Sequence, residues 1–189
     1  MTGTAPLRAD GGLDCEADLT RFVTPMYSTS FEPDDGAWVE AVPPSGGTAT
    51  VDIVDGGLDG GGKAIRLTPM TGTGIFAVAK KRNDPAPNLQ LAPGAQYCMQ
   101  GWVRADTNVS PGQIFYLIVR QYDSGGTQRG ATITSPNLTA STLWQRAWTH
   151  VGVAAGTTST DYFDVRFRSD VGVQTFRVDD IALFRLPEP

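Results

Sequence analysis

Histidine occurs once in this chain, at position 150, and cysteine only twice, at 15 and 98. A zinc pair therefore has no second histidine, and the cysteines lack the close spacing of a metal or redox motif. A disulfide between two residues so far apart requires the N-terminal stretch to fold back onto the middle of the chain. No apolar run approaches the ~20 residues of a membrane span, and Met1 to Arg8 holds no apolar stretch of signal-peptide length. Positive charge is scarce as well: 15 Lys and Arg stand against 20 Asp and Glu, a net charge of −5. A polyanion finds no electrostatic footprint in that balance, so neither nucleic acid nor membrane is an expected partner. The one short basic cluster, Lys80-Lys81-Arg82, reads as a solvated edge or turn.

What is abundant points to strands. The 189 residues suit one domain that buries enough surface to stand without disulfide staples. With 22 Gly and 13 Pro among Thr, Val and aromatic residues, the composition favours short strands joined by tight turns. Strand-like runs recur over 36–42, 48–54, 63–68, 75–80, 96–104, 114–122, 132–134, 144–153, 162–168 and 174–184. Asp123-Ser-Gly-Gly126 reads as a hairpin connection, because Gly permits the positive φ of primed turns. In the run from Tyr162, residues Phe163, Val165 and Phe167 share one face, leaving Asp164, Arg166 and Arg168 on the other. These three apolar residues and Val178 are core candidates. The last run, Phe176 to Phe184, alternates apolar and polar residues but is interrupted by the adjacent carboxylates Asp179 and Asp180. Residues 1–30 lack either period and read as an extended arm with a short helical turn near Glu16 to Arg21, ahead of a domain over 31–189. The expected fold class is all-β, a two-sheet antiparallel β-sandwich of the jelly-roll kind with an extended N-terminal arm.

Catalytic chemistry is thin. A glycosidase needs two placed carboxylates, and neighbours such as Asp179 and Asp180 point to opposite faces of a regular strand. Gly56 to Gly62 lacks the Lys and Ser/Thr of a phosphate-binding loop and reads as a turn. The chain is expected not to be an enzyme.

Ser30-Phe31-Glu32, Trp38, Leu91-Ala-Pro-Gly94 before Tyr97, Gly101-Trp-Val-Arg104, Trp144 and Val178-Asp-Asp-Ile181 follow one another in an order that resembles the jelly-roll carbohydrate-binding modules of xylanases and cellulases, over about residues 26–186. The resemblance implies a structural calcium site at Glu32 and Asp179, with Asp180 as a competitor; the alternative is a solvated acid pair at a strand end. Hard carboxylate oxygens are what Ca²⁺ takes. It also implies a glycan site of rings and hydrogen-bonding side chains across one sheet. The candidates are Phe76, the row Gln100, Trp102 and Arg104, and the row Tyr116, Arg120 and Tyr122; the alternative for most of these aromatics is the core.

Two functions compete. The first is a virion component of a tailed phage, a capsid-decoration or minor tail protein, with capsid or tail subunits, copies of itself and a surface glycan as partners. It rests on the Met start, the lack of an export signal or attached catalytic domain, and an arm whose Leu19, Phe22 and Val23 would anchor a neighbouring subunit. The second is an extracellular polysaccharide-binding module of a glycoside hydrolase.

Overall fold

The structure, a computed structural model, describes residues 7, 13–32, 38–41, 47–71, 76–80, 91–107, 109, 111–170 and 174–186. Among the described residues twelve strands form in chain order: β1 Tyr27–Thr29, β2 Trp38–Ala41, β3 Thr48–Asp55, β4 Lys63–Thr71, β5 Phe76–Lys80, β6 Gln96–Ala105, β7 Ile114–Tyr122, β8 Gln128–Thr134, β9 Leu138–Thr139, β10 Gln145–Gly152, β11 Tyr162–Asp170 and β12 Phe176–Arg185. Sheet one runs β10-β6-β12-β4-β3 with β1 added on β12; sheet two runs β2-β5-β11-β7-β8 with β9 added on β7. Every pairing is antiparallel. Among the described residues the only helical element is a 3-10 turn over Leu19–Arg21, capped by Asp18, whose carboxylate accepts the Thr20 amide. No helix there is long and apolar enough to cross a membrane.

The two sheets close face to face because alternate residues of each strand turn inward. Phe163, Val165, Phe167 and Val178, the expected core residues, are all buried. Aromatic rings bridge the layers: Tyr97 meets Phe163 edge-on at 5.3 Å, and Phe115 meets Phe176 at 5.6 Å. Gly101 of β6 sits beneath the Phe167 ring, where a Cβ would overlap it. The hairpin at Asp123 also forms, with Gly126 at φ 83° and the Thr127 amide donating to the Asp123 carboxylate at 2.9 Å.

The arm differs from expectation. Residues 13–26 lie on the outer face of sheet one, where Leu13, Cys15 and Leu19 form a second apolar cluster with Cys98, Ala182, Phe184 and Leu186. Cys15 and Cys98 are joined as a disulfide, with Cα atoms 5.6 Å apart. Tyr27–Thr29 then enters sheet one as β1, opposite Ile181 to Leu183. A boundary at residue 30 therefore cuts through one packed unit. Leu19 is fully buried and Val23 packs against the same cluster, so neither is left to anchor a neighbouring subunit; only Phe22, 41% exposed, remains outward. Apolar side chains spaced along an arm satisfy their own sheet first when a covalent link holds them there.

The disulfide closes a loop between residues 83 apart. In the chain-entropy account a closure of that length is worth about 4.5 kcal/mol. Dithiothreitol should therefore lower the melting temperature of the parent, and Cys15→Ser/Cys98→Ser should melt with the reduced parent whatever the redox condition. Two titratable thiols with an unchanged melting curve would remove this role.

Candidate functional site

The register separates the candidate binding residues into two groups on opposite outer faces. On β6, Tyr97, Met99, Val103 and Ala105 join the central core, so Cys98, Gln100, Trp102 and Arg104 turn outward from sheet one. Gln100 is buried there beneath residues 13–26, its Nε2 donating to the Ala17 carbonyl at 2.8 Å. It belongs to the seam under that segment. Trp102 and Arg104 lie farther along the same face, both half-buried. Phe76 begins β5 opposite Ser169 of β11; its side chain lies outside the described residues.

The second row stands on sheet two. Phe115, Leu117 and Val119 of β7 point into the core, leaving Tyr116, Arg120 and Tyr122 on the outer side. Strand β11 supplies the other half of this face: Tyr162 lies opposite Tyr122, Asp164 opposite Arg120, and Arg168 opposite Tyr116. Tyr122 and Tyr162 stack at 5.9 Å, and the Arg168 guanidinium lies 5.4 Å from the Tyr116 ring centre. Asp164 accepts three bonds from Arg166, at 3.3, 3.0 and 2.8 Å, and Asp170 accepts from the Tyr116 hydroxyl at 2.8 Å and from Arg168 at 3.2 Å. Burial, with the Asp170 contact second, pushes the Tyr116 phenol up to about 12. The hydroxyl thus stays protonated as a donor across ordinary pH. Tyr116, Tyr122 and Asp164 are themselves buried, so the half-buried Arg120, Tyr162, Arg166 and Arg168 carry the groups of this face that a polyol can match. Tyr162, Asp164, Arg166, Arg168 and Asp170 were not site candidates from sequence. Their period-2 pattern was visible, but which strand β11 pairs with was not.

The acidic cluster assembles at a β-bulge. In β12 the core-facing residues are Phe176 and Val178, then Ile181 and Leu183, and the register to β6 shifts between Asp179 and Ala182. One extra residue is inserted, so Asp179 and Asp180 both fall between inward positions. Their expected placement on opposite faces is overturned, because alternation fails where two residues oppose one. Asp180 takes φ 44° and Phe31 φ 59°, left-handed conformations that are uncommon outside glycine. The glycine-rich turn after β3 closes over them. Asp179 Oδ2 accepts the Leu58 amide at 2.7 Å, Glu32 Oε1 accepts the Lys63 amide at 2.5 Å, and Asp59 Oδ1 accepts the Gly62 amide at 2.7 Å. A Cβ on Gly57 would stand 2.6 Å from Asp179 Oδ2, and one on Gly62 would stand 2.6 Å from Glu32 Oε1, so these glycines let the carboxylates approach.

Burial pushes the Asp179 carboxyl up to about 7; the Leu58 and Asp180 amides oppose the rise, and the charges of Asp180 and Asp59 reinforce it. Asp180 is raised too, first by burial and then by Asp59, Asp18 and Glu32. The donors are hard, acidic oxygens, which suits calcium chemistry. Even so, among the described residues no three acidic, histidine or cysteine side chains stand in a metal-binding group.

This architecture has known counterparts. The C-terminal family 22 carbohydrate-binding module of Clostridium thermocellum Xyn10B superposes with a TM-score of 0.60 at 16% identity, over 85% of this chain and 94% of that one. The fold is that of the xylanase-associated carbohydrate-binding modules. The CBM22-1 xylan-binding domain of Paenibacillus barcinonensis Xyn10C gives a TM-score of 0.60 at 13% identity, over 88% of this chain and 97% of that one. The enzymatically active domain of bacteriophage CBA120 tailspike protein 4 gives 0.53 at 12% identity, over 79% of this chain but only 19% of that one. No protein-family model matches the sequence, and no curated protein matches it.

A raised carboxyl pKa fixes the sign of a pH effect. Between about 4 and 7 the folded protein holds a proton on Asp179 that the unfolded chain, with its ordinary value of 3.8, has released. In chelator-containing buffer the melting temperature should fall as pH rises through that window, and Asp179→Asn should flatten the decline. An identical slope in the variant would show that other groups set it.

Proposed function

We propose that this chain is a non-catalytic, extracellular glycan-binding module that holds a polysaccharide across the outer face of sheet two. The observation that carries the reading is the register of β7 against β11, which places Tyr116, Arg120, Tyr122, Tyr162, Arg166 and Arg168 on one surface. Support comes from the neighbouring folds, which include xylan-binding domains. The Cys15–Cys98 disulfide suits an oxidising compartment. Several ring faces are already occupied within the protein, so hydroxyl hydrogen bonding by the arginine and carboxylate groups carries much of the recognition. Affinity electrophoresis against xylan and mixed-linkage β-glucan should retard the parent, and Arg168→Ala or Tyr162→Ala should weaken retardation by about tenfold, the worth of one charged hydrogen bond or a central ring. A folded parent that migrates freely through a broad panel of neutral polysaccharides would overturn the assignment.

The second reading is a virion component of a tailed phage. The tailspike domain of like fold favours it; the burial of Leu19 and the packing of Val23 against the same cluster leave it Phe22 alone of the three anchors it relied on.

Structural calcium at Glu32, Asp179 and Asp180, with Asp59 beside them, belongs to the same proposal. When bound, the ion would neutralise the carboxylates and tie the turn after β3 to β12. Because only ionised ligands bind, added CaCl₂ should raise the melting temperature more at pH 8 than at pH 5. Glu32→Ala and Asp179→Ala should each abolish that response. Coincident melting curves with calcium and with chelator, and no metal by elemental analysis, would refute it.

A further inference from the structure

The outer face of sheet one carries a row of arginines that neither the glycan surface of sheet two nor the acidic bulge uses. Arg66 of β4, Arg177 of β12 and Arg104 of β6 are successive register partners across three adjacent strands. Their strand neighbours Ile65, Leu67, Phe176, Val178, Val103 and Ala105 fill the central core, so all three side chains project outward. Adjacent strands lie only ~4.8 Å apart, and like charges directly opposite one another repel. Such a row requires counter-charge.

The protein supplies it to two of the three. Arg66 faces Asp52 at 3.5 Å and Asp106 at 3.9 Å, while Arg177 Nε reaches Asp106 at 2.5 Å and its Nη1 reaches the Asp55 carbonyl at 2.6 Å. Arg104 has no carboxylate partner among the described residues. Its Nη2 meets the Gly56 carbonyl at 3.5 Å and its guanidinium lies 5.0 Å from the centre of the Trp144 ring. The Nε atoms of Arg66 and Arg104 are buried without a hydrogen-bond partner. Trp102, two residues before Arg104, stands on the same face opposite Arg146 of β10. Three guanidinium groups thus share two carboxylates, and half-buried indoles lie beside the uncompensated one.

We propose that this face is a second ligand site, selective for a carboxylate-bearing sugar, a hexuronic acid residue of an acidic polysaccharide. The sugar carboxylate takes the place of the missing counter-ion on Arg104, since a guanidinium fork matches a carboxylate in two parallel bonds. The apolar face of the pyranose lies against the neighbouring indoles. A simple inorganic anion would use the guanidinium groups alone and leave the rings idle. The net charge of −5 holds long polyanions off at a distance, so selectivity at this site is short-range.

The four tryptophans give four indole N–H signals in a ¹H–¹⁵N spectrum of the full chain, and these locate the ligand directly. Trigalacturonic acid should shift the signals of Trp102 and Trp144 and leave those of Trp38 and Trp148 in place. Arg104→Gln should weaken the interaction by about tenfold or more, and Arg104→Lys should restore only part of it because the fork is lost. Arg168→Gln, on the opposite face, should change nothing here, so failure of this site and failure of the sheet-two site are read separately. Neutral galactotriose should shift neither signal. The proposal falls if trigalacturonic acid at about 10 mM, a concentration that detects millimolar binding, moves neither indole. It also falls if sodium sulfate produces the same shifts at the same concentration, or if Arg104→Gln binds as the parent does. Should Arg104→Gln fail to fold, the indole shifts of the parent still decide the case.

Discussion

One extra residue in β12 organises sheet one. Between Val178 and Ile181 the strand inserts two outward residues where regular alternation allows one, and both halves of the strand still turn their apolar side chains into the same core. The bulge also divides the edge of β12. Its first half pairs with β4 through Phe176 to Val178, and its second half pairs with β1 through Ile181 to Leu183. The turn after β3 and the end of β1 therefore meet where ladder hydrogen bonding is interrupted, and backbone amides there turn to carboxylates instead. The raised pKa values of Asp179 and Asp180 follow from that placement, because two neighbouring carboxyl groups sink into the fold beside Asp59 and Glu32.

Strand positions were legible because the period-2 signal is local. The run over 114–122 coincides with β7, and those over 48–54, 96–104 and 162–168 fall within a residue or two of β3, β6 and β11. β1 and β9, of three and two residues, are too short to carry a period of their own and exist because β12 and β7 offer them open edges. The candidate site was legible only within each strand. Gln100, Trp102 and Arg104 share a face, as do Tyr116, Arg120 and Tyr122, but the two rows look away from each other across the sandwich. That relation depends on strand pairing, and pairing is set by contacts between distant segments. The fate of Gln100 and Leu19 likewise turned on whether the N-terminal segment folds back, which two isolated cysteines left open.

The two outer faces have unlike chemistry. On sheet two, Asp164 and Asp170 of β11 each lie beside an arginine two residues away, and Arg120 of β7 adds a third guanidinium to the same face. On sheet one, the arginine row stands beside the acidic bulge of β12, and residues 13–26 roof over only the part containing Cys98 and Gln100. The same sandwich thus presents guanidinium and phenol groups on one side and, on the other, arginines and indoles set beside a group of carboxylates.

The disulfide also determines how the domain bears tension. Cys98 lies opposite Phe184 in the β6–β12 ladder, and Leu186 donates its amide to Gln96 just beyond it. A pull on the segment before Cys15 enters β6 at Cys98, while a pull on the segment after Leu186 enters β12 one rung away. The mechanical path between the two ends crosses the domain through the last rungs of a single pair of adjacent strands. Sheet two lies off that path, so tension applied at the two ends is carried by sheet one.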